Sequence, residues 1–143
     1  MIQYSDNTAT NMLVGNNATA ADLLVKYFDS LGVNLSEEEA QKNRITPAMM
    51  EVVWTKLYKE RDKYSKLIKY LEDSEAGEVI KDGIPNKKIA SKYGAIEANY
   101  HETAIVFGEK DYMLLIYTNN LNNSKQVIKN IAKKIDEITN NNM

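Results

Sequence analysis

The chain contains no cysteine. Disulfides, thiolate metal sites and a cysteine nucleophile are therefore excluded, and cysteine usage says nothing of the redox compartment. A single histidine, His101, rules out a multi-histidine metal site built by one chain. No apolar run is long enough to span a bilayer, and the chain opens on a polar stretch rather than a secretory leader. Neither sign of charge dominates: 18 Lys and Arg stand against 20 Asp and Glu, a net charge of −2. That balance lacks the basic footprint of a nucleic-acid partner. There is no internal repeat and no disordered linker. What is present is an ordinary globular composition, 43% apolar and 27% charged over 143 residues, enough for one domain with a modest core.

The most informative stretch comes first: Tyr4-Ser5-Asp6-Asn7-Thr8-Ala9-Thr10-Asn11. It reads as a short polar loop running into a helix from about 7 to 15, capped by Asp6 or Asn7, with Met12, Leu13 and Val14 as its apolar turn. Gly15-Asn16-Asn17 stops it. Thr19 is expected to cap a second helix over roughly 20–31, with Leu23, Leu24, Tyr27, Phe28 and Leu31 on a core-facing stripe and Gly32 at its end. The connector from Val33 to Thr46 holds Ser36-Glu37-Glu38-Glu39, a capping box that opens one helical turn. The three glutamates read as a solvated helix start rather than a catalytic cluster. Thr46-Pro47 begins a helix to about residue 60, burying Met50, Val53, Trp54 and Leu57. An amphipathic stretch follows from Tyr64 to Leu71, then a short helix from Glu75 to Lys81 stopped by Asp82-Gly83 and Pro85.

The period then changes. Lys87 to Tyr93 is strand-like, with Ile89 and Ser91 on one face. Tyr100 to Phe107 and Tyr112 to Thr118 are β-rich runs joined by Gly108-Glu109-Lys110-Asp111. Met113 to Ile116 is apolar on both faces and predicts an inner strand covered on both sides. A long helix from Asn123 or Ser124 to about Thr139 carries Val127, Ile128, Ile131, Ile135 and Ile138 as its stripe, and the tail from Asn140 to Met143 is expected to fray. The fold class is α+β: a helical lobe over 1–86, then three antiparallel strands and a covering C-terminal helix over 87–143.

Two triplets now stand in order, Ser5-Asp6-Asn7 before a helix and Lys92-Tyr93-Gly94 on a strand. Together they resemble the Ser-Asp-Asn and Lys-Thr-Gly motifs of the class A serine β-lactamase and penicillin-binding protein family. Arg44-Ile45-Thr46-Pro47-Ala48-Met49 is similar to that family's Thr-Pro helix start, and His101 to Val106 with Tyr112 to Thr118 to its paired strands. The resemblance covers essentially the whole chain and implies the C-terminal portion of the β-lactamase/transpeptidase-like fold. The implied chemistry is hydrolysis of a β-lactam amide through an acyl-serine intermediate, the activity behind antibiotic resistance, without a cofactor or metal.

Carried over, the resemblance makes Ser5 the proton relay to the leaving nitrogen, its hydroxyl able both to donate and to accept. Lys92 supplies positive charge beside it and attracts a substrate carboxylate. Asn7 binds the substrate's side-chain amide, with Tyr93 and Gly94 lining the strand, and Asp6 orients the loop. Tyr93 departs from the family's Thr or Ser. Glu39 and Asn43 reproduce a Glu-x-x-x-Asn spacing that the family uses in deacylation, although three consecutive glutamates produce such a match easily.

The largest departure is that the nucleophile motif, Ser-x-x-Lys, is nowhere among the 143 residues. The resemblance therefore implies a fragment lacking the family's N-terminal part and inactive alone. Its 112–118 strand is then an open edge, available for self-association. The expected small-molecule partner is a β-lactam or a peptidoglycan-like peptide. Full-length relatives are exported, which leaves this chain's own location open. A slowly deacylating penicillin-binding or DD-peptidase-like protein is the alternative within the family. Outside catalysis, the alternative is a binding module that keeps the fold.

Overall fold

The computed structural model describes residues 1–15, 17–75 and 79–141. The chain divides into two compact units, one of residues 5–60 together with Met1, the other of residues 2–4 and 61 onward.

The first unit is helical: α1 (Asn7–Val14), α2 (Asn17–Ser30), α3 (Glu37–Gln41) and α4 (Pro47–Lys59). Asp6 caps α1, its carboxylate accepting from Ala9 N at 2.7 Å, which satisfies one of the helix's unpaired N–H groups. Gly15 ends it at φ 73, a left-handed conformation that costs glycine nothing. Contrary to expectation, α2 already includes Asn17, so Thr19 lies inside the helix and not at its cap; Asn16 is outside the described residues. Ser36 and Glu39 form the reciprocal capping box at α3. Thr46 caps α4 with Pro47 in its first turn.

Phe28, Ala21, Leu35 and Ala40 are buried together, with Leu24, Val25, Ile45, Met49, Met50 and Val53 packed around them. The apolar stripes read from the sequence are wider than this core. Met12 and Leu13 are 82% and 70% exposed, and Leu23 and Tyr27 also face solvent.

The second unit holds α5 (Ser65–Glu72), α6 (Ile80–Gly83), β1 (Lys88–Ile96), β2 (Asn99–Phe107), β3 (Tyr112–Tyr117) and α7 (Ser124–Asn141). The strands form one antiparallel sheet in the order β1-β2-β3. Of the helix expected at Glu75–Lys81, Ala76 to Glu78 lie outside the described residues; Ile80 and Lys81 open α6, which runs on through Asp82 and Gly83. The start of α6 is set by Glu102, fully buried on β2, whose carboxylate accepts from Val79 N at 2.9 Å and Ile80 N at 3.1 Å. Lys81 then donates to the carbonyls of Leu71 (3.2 Å), Glu72 (2.9 Å) and Ser74 (2.9 Å), satisfying acceptors at and just beyond the end of α5.

One sheet face is sealed by α6 and α7 around Ile80, Ile84, Ile89, Tyr100, Ala104, Val106, Leu114, Ile128 and Ala132. Two expectations are corrected here. β3 is an edge strand on which only Leu114 is buried, not an inner strand covered on both sides. On α7 the buried residues are Ser124, Ile128 and Ala132, while Ile131, Ile135 and Ile138 stay exposed. The helix continues through Asn140 and Asn141 instead of fraying there; Asn142 and Met143 are outside the described residues. Among the described residues no helix is long and apolar enough to cross a membrane.

Candidate active site

The Ser-Asp-Asn stretch belongs to the first unit. Ser5 is half-buried and has φ 51, a left-handed backbone that is uncommon for any residue with a side chain. Such a conformation costs of order 1–3 kcal/mol and persists where its surroundings over-determine it. Here the next residue is the cap: Asp6 is extended (φ −73, ψ 115) and holds the first turn of α1. The chain must turn sharply at Ser5 to place that carboxylate over the helix N-terminus. Thr10 Oγ1 donates to Asp6 O at 2.9 Å, fixing the same turn from inside the helix. Asn7 follows as the first residue of α1, exposed.

The Lys92-Tyr93-Gly94 stretch lies in the second unit, on β1. Side chains alternate along a strand, so Lys92 and Gly94 share one face and Tyr93 takes the other. The register carries these rows onward: Lys92 pairs with Thr103 and Gly94 with His101, and His101 pairs with Tyr117 on β3. The face opposite α7 therefore presents Lys92, Gly94, Thr103, His101 and Tyr117 together. A Cβ built on Gly94 meets nothing within 4 Å, so the space above it is open. Lys92 is half-buried and wraps the outer edge of β1. Its Nζ donates to Tyr93 O at 2.8 Å and stands 4.3 Å from the Tyr93 ring centroid. Thr103 Oγ1 donates to Lys92 O at 3.3 Å.

Tyr93 itself packs. Its ring stacks on Tyr100 with centroids 5.6 Å apart and planes 13° from parallel, against the core that α7 covers. Its hydroxyl therefore does not occupy the face that Lys92 and Gly94 share.

His101, which in the sequence excludes a multi-histidine metal site and opens one of the paired strands, lies on the same face as Lys92 and Gly94. The β1–β2 hairpin brings it directly opposite Gly94. Its Nδ1 accepts from Thr118 N at 3.1 Å, which leaves the proton on Nε2. Its ring stacks on Tyr117 at 4.6 Å. Burial pushes the imidazole below its ordinary pKa, only partly opposed by a backbone hydrogen bond at Tyr100, so at neutral pH it is an uncharged donor. Tyr117 is pushed up, also by burial, and stays a phenol.

Glu39 and Asn43 lie on and just after α3. The Glu39 carboxylate accepts from Ser36 Oγ at 2.6 Å and from Ser36 N at 3.1 Å. These bonds, side chain first, hold it below the usual glutamate range against a small opposing effect of burial. Asn43 is exposed, with φ 52 at the turn that ends the helix. Both residues thus have roles in shaping α3.

The model describing the β-lactamase enzyme family matches residues 1–139, a span that includes both motif stretches. No curated protein matches the chain, and no solved structure does.

Proposed function

We propose, from the premise that the chain belongs to the β-lactamase enzyme family, that it supplies the substrate-binding and proton-relay half of a serine β-lactamase-like site. The observation that carries this reading is the span of the family match, which takes in Ser5-Asp6-Asn7 and Lys92-Tyr93-Gly94 together. In it, Ser5 Oγ hands a proton to the lactam nitrogen as the amide bond breaks, and the Lys92 ammonium favours the deprotonated serine that results. Asn7 hydrogen-bonds the substrate's side-chain amide. The open space above Gly94 admits the substrate's carboxylate, with Lys92 and the His101 Nε2–H as its donors.

No residue here stands in a Ser-x-x-Lys sequence, so this reading gives the 143-residue chain binding without acylation. Incubated with a chromogenic cephalosporin, it is expected to show no hydrolysis above buffer and no covalent adduct by intact-protein mass spectrometry. Hydrolysis that disappears in Ser5→Ala would overturn the assignment, because Ser5 would then be more than a relay.

A second reading, a non-catalytic binding module on the same fold, is favoured by Tyr93, whose stacking on Tyr100 removes a hydroxyl from the carboxylate face. A penicillin-binding or DD-peptidase-like parent shares the same binding residues. Peptides ending in a free carboxylate that bind as well as β-lactams would favour those readings over a dedicated lactamase.

A further inference from the structure

Gly94 is explained neither by its own conformation nor by its neighbours. It lies inside β1, its φ is not positive, and a Cβ added there meets nothing within 4 Å. Glycine weakens a strand, and inside one it often marks a place where a ligand comes close to the backbone.

The row across the sheet runs Gly94, His101, Tyr117. The His101 and Tyr117 rings stack with centroids 4.6 Å apart and planes 22° from parallel. That separation matches the spacing of neighbouring strands, about 4.8 Å, so the stack advances along the row, one ring per strand. His101 gives one ring face to Tyr117 and turns the other towards Gly94, where the next ring of the stack is missing. Gly94 itself is exposed. Lys92 and Ile96, two residues away on either side, share its face of β1 and flank this slot along the strand. Ile96 is 59% exposed. Lys92 Nζ donates to Tyr93 O, the carbonyl that leads into Gly94, and so holds a cation at the slot's outer margin.

We propose that this slot binds a flat unsaturated ring that lies over Gly94 and stacks on the open face of His101. Ile96 packs against the ring's edge, and an acidic group on its rim pairs with the Lys92 ammonium. The ligand class is therefore a planar aromatic or heteroaromatic carboxylate. A saturated carboxylate carries the same charge but offers the imidazole no face. The ring subsite deepens the proposed function by naming the kind of group the site accepts, and it rests on that reading for the carboxylate alone.

The test is an NMR titration of the isotope-labelled chain with benzoate, benzamide and cyclohexanecarboxylate, repeated on Gly94→Val. Benzoate and benzamide are expected to move the His101 ring protons and the Ile96 methyls upfield along saturation curves, the mark of an aromatic face laid against them. Cyclohexanecarboxylate is expected to bind about 2- to 10-fold more weakly than benzoate, the worth of an aromatic pair, and to give no upfield shift. Gly94→Val puts a branched side chain that suits a strand into the slot. It should lose the aromatic shifts while keeping the wild-type far-ultraviolet dichroism; should it fail to fold, the wild-type comparison of the three probes decides. Benzamide binding as well as benzoate would keep the ring subsite and remove the carboxylate taken from the proposed function. Cyclohexanecarboxylate binding as tightly as benzoate would overturn the ring subsite and leave the carboxylate reading of Lys92 standing. Aromatic shifts that survive Gly94→Val, or no His101 shift with either aromatic probe, would also overturn the proposal.

Discussion

His101 couples the proposed site to pH through a single hydrogen bond. Its Nδ1 can accept from Thr118 N only while the ring is neutral, and burial lowers its folded-state pKa. The unfolded chain takes up a proton near pH 6.5, the folded chain only at lower pH. Between those two values the unfolded state binds more protons, so stability rises with pH across that window and levels off above about 6.5. Thermal melts from pH 5 to 7.5 are expected to show the rise in wild type and a flatter profile in His101→Gln. Identical profiles would mean that the half-buried imidazole does not titrate with folding. Asp136 acts in a different window. Burial raises its pKa, but hydrogen bonds from Lys87 and Tyr112, the Lys87 charge and Asn140 together bring it below the ordinary value. Its contribution is present above the unfolded aspartate value of about 3.9 and is lost as pH falls through the lower folded value.

The elements of the second unit are joined at two points that can be broken separately. Asp136 on α7 pairs with Lys87 at 2.6 Å and accepts from the Tyr112 hydroxyl at 2.7 Å, tying α7 to the starts of β1 and β3. Both charged side chains are less than a fifth exposed, so removing one leaves the other poorly solvated. Asp136→Ala is expected to cost about 1–3 kcal/mol and Tyr112→Phe about 0.5–1.5 kcal/mol. If the two share one interaction, the double variant costs less than their sum in denaturant melts. At the second point, a Cβ on Gly83 would come within 2.7 Å of Lys129 O. α6 therefore meets α7 through a bare backbone, and Gly83→Ala should destabilise by about 1–3 kcal/mol; an unchanged melting temperature would show that the helices separate freely.

Neither of these junctions can be read from the sequence. Gly83 reads there as a helix stop, and Asp136 as one more polar residue on an amphipathic helix, because Lys129 lies 46 positions from Gly83, and Tyr112 and Lys87 lie 24 and 49 positions from Asp136. Local signals did better. The capping box at Ser36 and the Thr46-Pro47 start appear where cap chemistry puts them, and the three strands form in the expected order, β1 running three residues past the expected Tyr93 to Ile96. Periodicity alone misjudged Leu23, Tyr27, Ile131, Ile135 and Ile138. It identifies an apolar stripe but says nothing of whether another element covers it.

For the molecule as a whole, the motif stretches stood out because each is contiguous, and the family match spans residues 1–139. The face that Lys92 shares with His101 and Tyr117 was not, since it follows from a register that only the paired strands fix. Tyr93 shows the same limit: the motif counts it as a site residue, whereas its ring stacks on Tyr100 on the covered side of the sheet.

In the proposed function the Ser5 loop and the Lys92 strand serve one ligand. The most direct measurement is an NMR titration of the isotope-labelled chain with a carboxylate-bearing β-lactam, followed at the backbone of Ser5, Asn7, Lys92 and Gly94 and at the His101 ring. All five are expected to shift together along one saturation curve, and Lys92→Ala to weaken binding at every one of them. Shifts confined to one of the two units, or two sets saturating at different ligand concentrations, would contradict it.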